Sequence, residues 1–420
     1  MHTVTAQVPT GTIAAIPAKA HAHRAIICAA LATGPSSIKL SRTSKDIDAT
    51  MASMRSLGTQ VDYQNQVIHI QPGPAPRVGQ ILPHESGTTL RLLLPVAASL
   101  CEEVQVDAKG RLPERPLEPL LGQLKDHGVT FTQDKPPFTM KGHLRGGHFA
   151  MVGNVSSQFF SGLLLAAPQV GTCQIESLGK LESKDYVSLT INTMKDFGVT
   201  VEQGLSVNGY PSFSIPQGDS FKGQEDYAIE GDWSNAAIWL VATALSGQAL
   251  TIKGLNKDSI QADRRILDIV SKSGSQVSWS GSDLTVTGKA SQPLEVDLGQ
   301  CPDLLPVLAA LACGIQGESA FLNGARLRIK ESDRLEAVAA LVRDLGGCVR
   351  LVGDDLYIQG TGTLKGGLVD CQNDHRLVMA GTLAALISQS PVKLKDSQAI
   401  TKSYPDFFDD WNQLGGSAHV

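Results

Sequence analysis

The sequence predicts a mixed α/β (α+β) protein of two similar domains with three repeats each, and three observations support this fold class. A helical run that ends in glycine and precedes a strand-like run occurs six times, with the glycines at positions 58, 128, 198, 274, 346 and 415. Each repeat also opens another helix with polar residues followed by small apolar ones. Finally, 420 residues exceed the usual size of a single domain.

The six glycines mark the ends of helices. Glycine directly after a helical run is the common left-handed cap of a helix C-terminus. Successive glycines lie 70, 70, 76, 72 and 69 residues apart. The residues that follow alternate between apolar and polar, as in 61–70 (VDYQNQVIHI), which is typical of strands. Each repeat therefore contains a glycine-capped helix followed by short strands.

The polar openings of the other six helices have two possible explanations. They lie at residues 19–24, 86–91, 156–158, 232–234, 302–303 and 374–376. Ser, Thr and Asp often cap helices, and capping alone explains any one of these segments. Six in register also suggest helix N-termini that converge, where free N–H groups and helix dipoles favour anions. Six units divide naturally into two domains of three, with a cleft expected between them.

Composition excludes several classes of protein. A net charge of −5 argues against broad binding of nucleic acid or acidic membranes, so any anion site must be local. The seven cysteines are scattered without a C-x-x-C pair, which favours a reducing cytoplasm over a disulfide framework or zinc site. The N-terminal residues lack the pattern of a signal peptide, and no apolar run is long enough to span a bilayer. His21 and His23 would diverge on a helix, so we expect no metal site there.

Residues 326–334 (RLRIKESDR) concentrate charge more than any other segment. They contain four cations and two carboxylates immediately before a helical run. Such density is costly to bury unless a ligand compensates it, although a solvated helix start is the simpler explanation. Arg326, Arg328 and Lys330 alternate at strand spacing, which predicts that all three point in one direction.

Nine short motifs occur in a fixed order along the chain. They are residues 85–91 (ESGTTLR), 110–116 (GRLPERP), 155–159 (VSSQF), 182–186 (ESKDY), 230–234 (EGDWS), 302–303 (PD), 328–335 (RIKESDRL), 373–376 (NDHR) and 402–406 (KSYPD). In this order and spacing they resemble the EPSP synthase family, the 3-phosphoshikimate 1-carboxyvinyltransferases. The resemblance implies three βαβαββ units in each domain and an active-site cleft between the domains. We therefore expect domains at residues 12–227 and at 1–11 with 228–420.

The resemblance also implies an activity. Enzymes of this family transfer the enolpyruvyl (carboxyvinyl) group of phosphoenolpyruvate to the 5-hydroxyl of shikimate 3-phosphate and release phosphate, a step in aromatic amino acid biosynthesis. No metal or organic cofactor is implied. We expect a cytoplasmic monomer whose partners are these two small molecules, with no nucleic-acid or membrane partner, and glyphosate as an inhibitor.

The site residues follow from the resemblance, position by position. The implied catalytic residues are Asp303, Glu331, Lys19 and Lys402. The implied ligands of phosphoenolpyruvate are Lys19, Gly87, Arg115, Gln158, Arg334, Arg376 and Lys402. The implied ligands of shikimate 3-phosphate are Lys19, Arg24, Ser156, Ser157, Gln158, Ser183, Tyr186, Asp303, Arg326 and Lys330. Asp303 is the candidate base for the attacking hydroxyl, and Glu331 with Lys19 or Lys402 handles protons at the enolpyruvyl methylene.

Four positions depart from the family pattern on the acceptor side. Ala18 and Ala20 replace serines that flank Lys19, Asp185 stands where proline is usual, and Arg326 stands where asparagine is common. Two alternatives therefore stay open. One is an enolpyruvyl transferase with a different phosphorylated acceptor, and the other is a non-catalytic protein of the same fold.

Overall fold

Two compact units make up the chain, each with its own hydrophobic core. The structure is a computed structural model and describes residues 1–216 and 218–420. The N-terminal unit is Pro17–Ile229, and the C-terminal unit combines Met1–Ile16 with Glu230–Val420. The core of each unit contains apolar residues of that unit alone.

The chain begins with two strands of the C-terminal unit, β1 (His2–Val4) and β2 (Gly11–Ala14). The N-terminal unit follows with α1 (Lys19–Ala30), β3 (Ser36–Lys39), α2 (Lys45–Ser56), β4 (Gln60–Gln64), β5 (Val67–Gln71), β6 (Val78–His84), α3 (Gly87–Leu100), β7 (Glu103–Ala108), α4 (Leu120–Asp126), β8 (Thr130–Phe131), β9 (Phe138–Lys141), β10 (Gly147–Met151), α5 (Ser157–Val170), β11 (Cys173–Ser177), α6 (Lys184–Asp196), β12 (Glu202–Leu205), β13 (Pro211–Ile215) and β14 (Tyr227–Ala228). A short 3-10 helix, Leu112–Glu114, precedes α4.

The C-terminal unit continues with α7 (Trp233–Ser246), β15 (Leu250–Lys253), α8 (Ile266–Lys272), β16 (Gln276–Ser280), β17 (Asp283–Thr287), β18 (Glu295–Asp297), α9 (Leu305–Gly314), β19 (Gly317–Leu322), α10 (Arg334–Asp344), β20 (Cys348–Val352), β21 (Asp355–Gly360), β22 (Gly367–Asp370), α11 (His375–Ala385), β23 (Val392–Lys395), α12 (Phe407–Gln413) and β24 (Ala418–His419). Its 3-10 helices are Ala262–Arg265, Pro302–Leu304, Ala325–Ile329 and Ser397–Lys402.

Within the described residues, the strands form six four-stranded sheets of one topology. The strand orders are β14-β3-β5-β4, β6-β7-β9-β8 and β10-β11-β13-β12 in the N-terminal unit, and β2-β15-β17-β16, β18-β19-β21-β20 and β22-β23-β1-β24 in the C-terminal unit. In each sheet the first two strands are parallel and the other pairings are antiparallel. The predicted fold class, two similar domains of three βαβαββ repeats, is thereby confirmed.

The crossovers between the units lie a few residues beyond the expected positions. Strand β2 pairs in parallel with β15, so residues 11–14 belong to the C-terminal unit and the chain leaves it only after Ile16. Strand β14 pairs with β3, which keeps residue 228 in the N-terminal unit. The expected boundaries near residues 11 and 228 cut through these two short strands.

The inner helix of each repeat is almost wholly buried, and its composition permits this; these helices are α1, α3, α5, α7, α9 and α11. In α9 every residue from Leu305 to Gly314 is buried, since apolar side chains cover its whole surface. Helices α3 and α5 approach closely because Gly162 has no side chain: a Cβ there would lie 2.6 Å from the Arg91 carbonyl oxygen. This packing brings the polar N-termini of neighbouring inner helices together within each unit.

The glycines that defined the repeat follow the other helix of each repeat, which we call the outer helix. These outer helices are α2, α4, α6, α8, α10 and α12. All six, at positions 58, 128, 198, 274, 346 and 415, adopt positive φ angles between 81° and 111°, which favour glycine over other residues. Across residues 1–216 and 218–420, every helix falls short of the length and apolar character that crossing a membrane requires.

Candidate active site

In the N-terminal unit, polar contacts connect the starts of α1, α2 and α3. Lys19 is the first residue of α1, and its Nζ lies 2.7 Å from Asp46 Oδ2 in the first turn of α2. Thr89 Oγ1 lies 3.3 Å from the Asp46 carbonyl oxygen and 2.9 Å from the hydroxyl of Ser86, the N-cap of α3. Lys19 is therefore connected through Asp46 to the polar N-terminus of α3.

Arg115 lies against the N-terminus of α3. A Cβ on Gly87, the first residue of α3, would lie only 2.6 Å from Arg115 Nη1. Glycine therefore lets the guanidinium approach the helix N-terminus, where free backbone N–H groups are available to an anion. The side chain of Arg115 comes directly after the 3-10 helix Leu112–Glu114 and is largely buried.

The start of α5 joins the same group of residues. Ser156 caps α5 by accepting from the backbone N–H of Gln158, and Ser157 is the first helical residue. The Gln158 side chain donates to Thr88 Oγ1 at 2.8 Å and accepts from Arg91 Nη1 at 3.2 Å. These two contacts fix the orientation of the Gln158 amide.

Arg24, Ser183 and Tyr186 lie at a second position in the N-terminal unit, where α1 meets α6. Arg24 is fully buried, and its guanidinium donates to Thr190 Oγ1 at 2.7 Å and to the backbone carbonyls of Ala20 at 2.7 Å and Tyr186 at 3.0 Å. Ser183 precedes α6 in a left-handed conformation. Arg24 is thus held in place by hydrogen bonds to α1 and α6.

In the C-terminal unit, the guanidinium of Arg334 bonds three carboxylates. Its Nη1 donates to Asp303 Oδ1 at 2.7 Å and its Nη2 to Glu331 Oε2 at 2.6 Å. Nε and Nη2 together bind Asp374, the N-cap of α11, at 2.7 and 3.1 Å. The planar fork of arginine allows this arrangement, which places the predicted acid and base groups on one cation.

Asp303 also faces Lys330, and the charge of each residue shifts the pKa of the other. Lys330 Nζ lies 3.2 Å from Asp303 Oδ1. Although burial opposes the shift, the charges of Lys330, Arg334 and Arg376 hold the pKa of Asp303 well below its usual range. Burial lowers the pKa of Lys330 to about 8, although the charge of Asp303 acts in the opposite direction. Asp303 is therefore ionised at neutral pH.

Arg376 and Lys402 lie at the start of α11. Arg376 donates from Nη1 to the Ser234 carbonyl at 3.1 Å and from Nη2 to the Ser234 hydroxyl. Lys402 Nζ donates to the carbonyl of Asn373, just before α11, at 2.6 Å. The structure thus gathers Asp303, Lys330, Glu331, Arg334 and these two cations around the helix openings of the C-terminal unit.

Residues 326–330 do not alternate as a strand would, so that expectation is wrong. Residues Ala325–Ile329 form a 3-10 helix, in which residues two apart do not share a face. Arg326 donates to the Gly299 carbonyl at 3.3 Å, and its charge contributes to the lowered pKa of Lys330. Arg328 instead forms ion pairs with Asp333 and Asp354 at the partly exposed edge of the unit.

Comparison with known proteins identifies the family. The family model described as EPSP synthase (3-phosphoshikimate 1-carboxyvinyltransferase) matches residues 5–411. The chain belongs to the EPSP synthase family. Two relatives named 3-phosphoshikimate 1-carboxyvinyltransferase, from Clostridium kluyveri and Clostridium acetobutylicum, are both 39% identical to it. The alignments cover 97% of this chain and 95% and 96% of the relatives, respectively.

Solved EPSP synthase structures support the fold. One from Acinetobacter baumannii has a TM-score of 0.80 at 20% identity, and the match covers 100% of this chain and 99% of that one. The family that the motifs predicted is confirmed, and with it the prediction of an enzyme, a carboxyvinyltransferase.

Several residues of this EPSP synthase family member contact the predicted site residues but were given no role from the sequence, although three of them lie within the motifs quoted above. They are Asp46, Arg91, Ser234, Asp263 and Asp374. Four of the five lie in or near the first turn of a helix, where a polar residue is sufficiently explained by capping. Asp374 does cap α11, but it also binds Arg334. Only the position of its partner, 40 residues earlier in the chain, reveals this second contact.

His21 and His23 contact different partners. His21 Nε2 lies 2.7 Å from Tyr227 Oη, and His23 Nδ1 lies 2.7 Å from Thr50 Oγ1. Burial lowers the pKa of His21 to about 4 and that of His23 well below its usual value. Both imidazoles are therefore neutral at neutral pH and belong to the packing of α1.

Proposed function

We propose that this protein transfers the enolpyruvyl group of phosphoenolpyruvate to the 5-hydroxyl of shikimate 3-phosphate and releases phosphate. The observation that carries the proposal is the placement of Asp303 and Glu331 on the one guanidinium of Arg334. Two carboxylates among several cations suit an addition and elimination that needs protons moved at an oxygen and at a carbon. The names of the full-length relatives support the same reaction.

In this proposal the cations bind the anionic groups of the two substrates, because arginine and lysine suit phosphates and carboxylates. Phosphoenolpyruvate is bound by Lys19, the Gly87 backbone, Arg115, Gln158, Arg334, Arg376 and Lys402. Shikimate 3-phosphate is bound by Lys19, Arg24, Ser156, Ser157, Gln158, Ser183, Tyr186, Asp303, Arg326 and Lys330.

The proposed reaction has two steps. In the first step the oxygen of the 5-hydroxyl bonds to C2 of phosphoenolpyruvate while Asp303 takes the hydroxyl proton. The methylene carbon of phosphoenolpyruvate gains a proton in the same step. The tetrahedral intermediate then loses a proton from the new methyl group as the C2–O bond to phosphate breaks. Glu331 with Lys19 or Lys402 transfers the protons at carbon, and the surrounding cations stabilise the added negative charge.

We also propose that the enzyme works in the cytoplasm as a monomer. All seven cysteines are free thiols, and six of them are buried, which suits a reducing compartment.

Measurement of phosphate release tests the proposed function. Purified protein with phosphoenolpyruvate and shikimate 3-phosphate should release phosphate, with either substrate alone as the control. Release only with another phosphorylated acceptor would support the alternative of an enolpyruvyl transferase with a different acceptor. That alternative arises because Ala18, Ala20, Asp185 and Arg326 depart from the family pattern. Absence of release with any acceptor would indicate a non-catalytic protein.

We expect the affinity for shikimate 3-phosphate to fall as the pH rises through about 8. A lysine whose pKa is lowered is charged below that pKa and neutral above it, so Lys330 loses its charge in this range. The loss of a hydrogen bond to a charged group weakens binding by about tenfold or more. Calorimetric titration between pH 7 and 9 measures this, and Lys330→Arg, which stays charged, should flatten the profile. Lys393→Arg at an exposed position should leave it unchanged; a flat wild-type profile would contradict the assignment.

We expect Gly87→Ala to weaken glyphosate more than phosphoenolpyruvate. The new Cβ would lie 2.6 Å from Arg115 Nη1 and force that guanidinium to move, which disfavours the longer inhibitor most. The measurements are the inhibition constant of glyphosate and the KM for phosphoenolpyruvate. Gly179→Ala is the control, since among the described residues no heavy atom beyond Gly179 and its two chain neighbours lies within 4 Å of its Cβ position. Equal losses for both molecules would rule out this steric explanation.

We expect Arg326 to replace the hydroxyl that Ala20 lacks. Arg326→Asn should weaken shikimate 3-phosphate by about tenfold or more, because a charged ligand is lost. Ala20→Ser should tighten binding slightly, and the double variant should recover much of the loss. Arg328→Asn is a matched control, since Arg328 is engaged with Asp354. If Arg326→Asn binds normally, this compensation does not occur.

A further inference from the structure

Asp263 is a buried carboxylate beside the residues assigned to phosphoenolpyruvate, yet the proposed mechanism gives it no role. It lies in the 3-10 helix Ala262–Arg265 and is 1% exposed. Its Oδ2 accepts a hydrogen bond from the hydroxyl of Ser234, in the first turn of α7. A buried carboxylate is unfavourable unless hydrogen bonds and opposite charge compensate it, so its position needs an explanation.

Ser234 connects Asp263 with Arg376. The Arg376 guanidinium donates to the hydroxyl and to the backbone carbonyl of Ser234. Because a guanidinium has no acceptor, the hydroxyl oxygen must accept from Arg376, and its single proton is directed to Asp263. The carboxylate therefore sets which way the hydroxyl points, and the hydroxyl holds one edge of the guanidinium.

The charges around Asp263 favour this connection over simple packing. Asp232, Asp303 and Arg376 lie within electrostatic range, and two of these three are themselves acidic. Burial and then the charge of Asp303 raise the pKa of Asp263 to about 6, while the charge of Arg376 acts in the opposite direction. The charge of Arg376 and the hydrogen bond from Ser234 both favour the ionised form of Asp263. An ionised carboxylate accepts a stronger hydrogen bond from Ser234 than a neutral amide would, so a carboxylate at this position holds the hydroxyl more firmly.

We propose that Asp263 is a positioning residue for phosphoenolpyruvate, acting through the Ser234 hydroxyl to fix the orientation of the Arg376 guanidinium. The proposal rests on the function proposed above, in which Arg376 binds phosphoenolpyruvate. It predicts a specific defect: binding of phosphoenolpyruvate suffers, whereas binding of shikimate 3-phosphate does not.

Steady-state phosphate release by the full-length enzyme tests the proposal. Asp263→Asn and Ser234→Ala should each raise the KM for phosphoenolpyruvate by about tenfold, the effect of weakening one hydrogen bond to a charged group. The KM for shikimate 3-phosphate should stay unchanged. The separate variant Ser234→Thr keeps the hydroxyl and should therefore have a KM for phosphoenolpyruvate near that of the wild type. Asp268→Asn, at an exposed position of α8, is the control.

A double variant tests the route through Arg376. In an Arg376→Lys background, Asp263→Asn should cause little further change, since the group that it positions is gone. Two results would overturn the proposal: an unchanged KM for phosphoenolpyruvate in folded Asp263→Asn and Ser234→Ala variants, or equal increases of both KM values. If Asp263→Asn does not fold, the Ser234→Ala and Ser234→Thr pair decides alone. Failure of wild-type turnover would instead reject the proposed function.

Discussion

Asp303→Asn should lower turnover by about 10²–10⁴-fold, the usual contribution of a positioned general base. The substitution keeps the shape of the side chain and removes its ability to take a proton. Glu331→Gln should cause a loss of similar size, because the proton transfers at carbon are slowed. Binding of both substrates should change much less, since the surrounding cations remain.

The charge environment of Asp303 indicates when it acts as a base. Lys330, Arg334 and Arg376 hold its pKa well below the usual range, so in the free enzyme it is a weak base. Two substrates that carry phosphate and carboxylate groups supply negative charge against these cations, which raises the affinity of Asp303 for a proton. Proton removal should therefore be effective only after both substrates have bound.

Rapid-quench measurement of single turnovers separates this chemical step from binding and product release. The controls are Asp344→Asn and Glu336→Gln, exposed carboxylates on α10, the helix that begins at Arg334. Near-normal turnover in Asp303→Asn would remove Asp303 from the mechanism. The same result in Glu331→Gln would leave Lys19 and Lys402 as the groups that move protons at carbon.

The repeat was predictable from the sequence because its signal is local. A glycine that ends a helix needs only its own positive φ, and six occurrences at similar spacing define the units. The crossovers were placed less well, since β2 and β14 are short and their assignment depends on pairing with strands far along the chain. A strand of four residues or fewer is too short to show a periodic pattern of apolar and polar residues.

The residues of the candidate site could be named only from the resemblance to the family. Asp303, Glu331 and Arg334 come from such motifs, and the structure places them together. Asp263 was missed because its contact with Ser234 joins residues 29 positions apart, and no local pattern indicates it. The direction of the Arg326 side chain was predicted wrongly. Cationic residues at every second position suggest a strand, whereas the backbone of Ala325–Ile329 forms a 3-10 helix.

Arg334→Gln should both abolish turnover and destabilise the C-terminal unit. Arg334 is almost fully buried, and its guanidinium bonds the carboxylates of Asp303, Glu331 and Asp374. Removal of one partner from a buried ion pair costs about 3–5 kcal/mol, because a charge is left without compensation. Here Asp374 is the most affected, since it is itself fully buried and binds Arg334 through two hydrogen bonds.

Substitution of Asp374 together with Arg334 separates the two effects of this residue. Arg334→Gln should lower the thermal unfolding midpoint, and the double variant with Asp374→Asn should recover part of that stability, because no uncompensated carboxylate remains there. Turnover should not recover, since the proposed ligand of phosphoenolpyruvate is still absent. Arg350→Gln, which breaks an exposed pair with Glu318, should change the midpoint little. A midpoint unchanged in Arg334→Gln would mean that the three carboxylates find other compensation and that Arg334 serves binding alone.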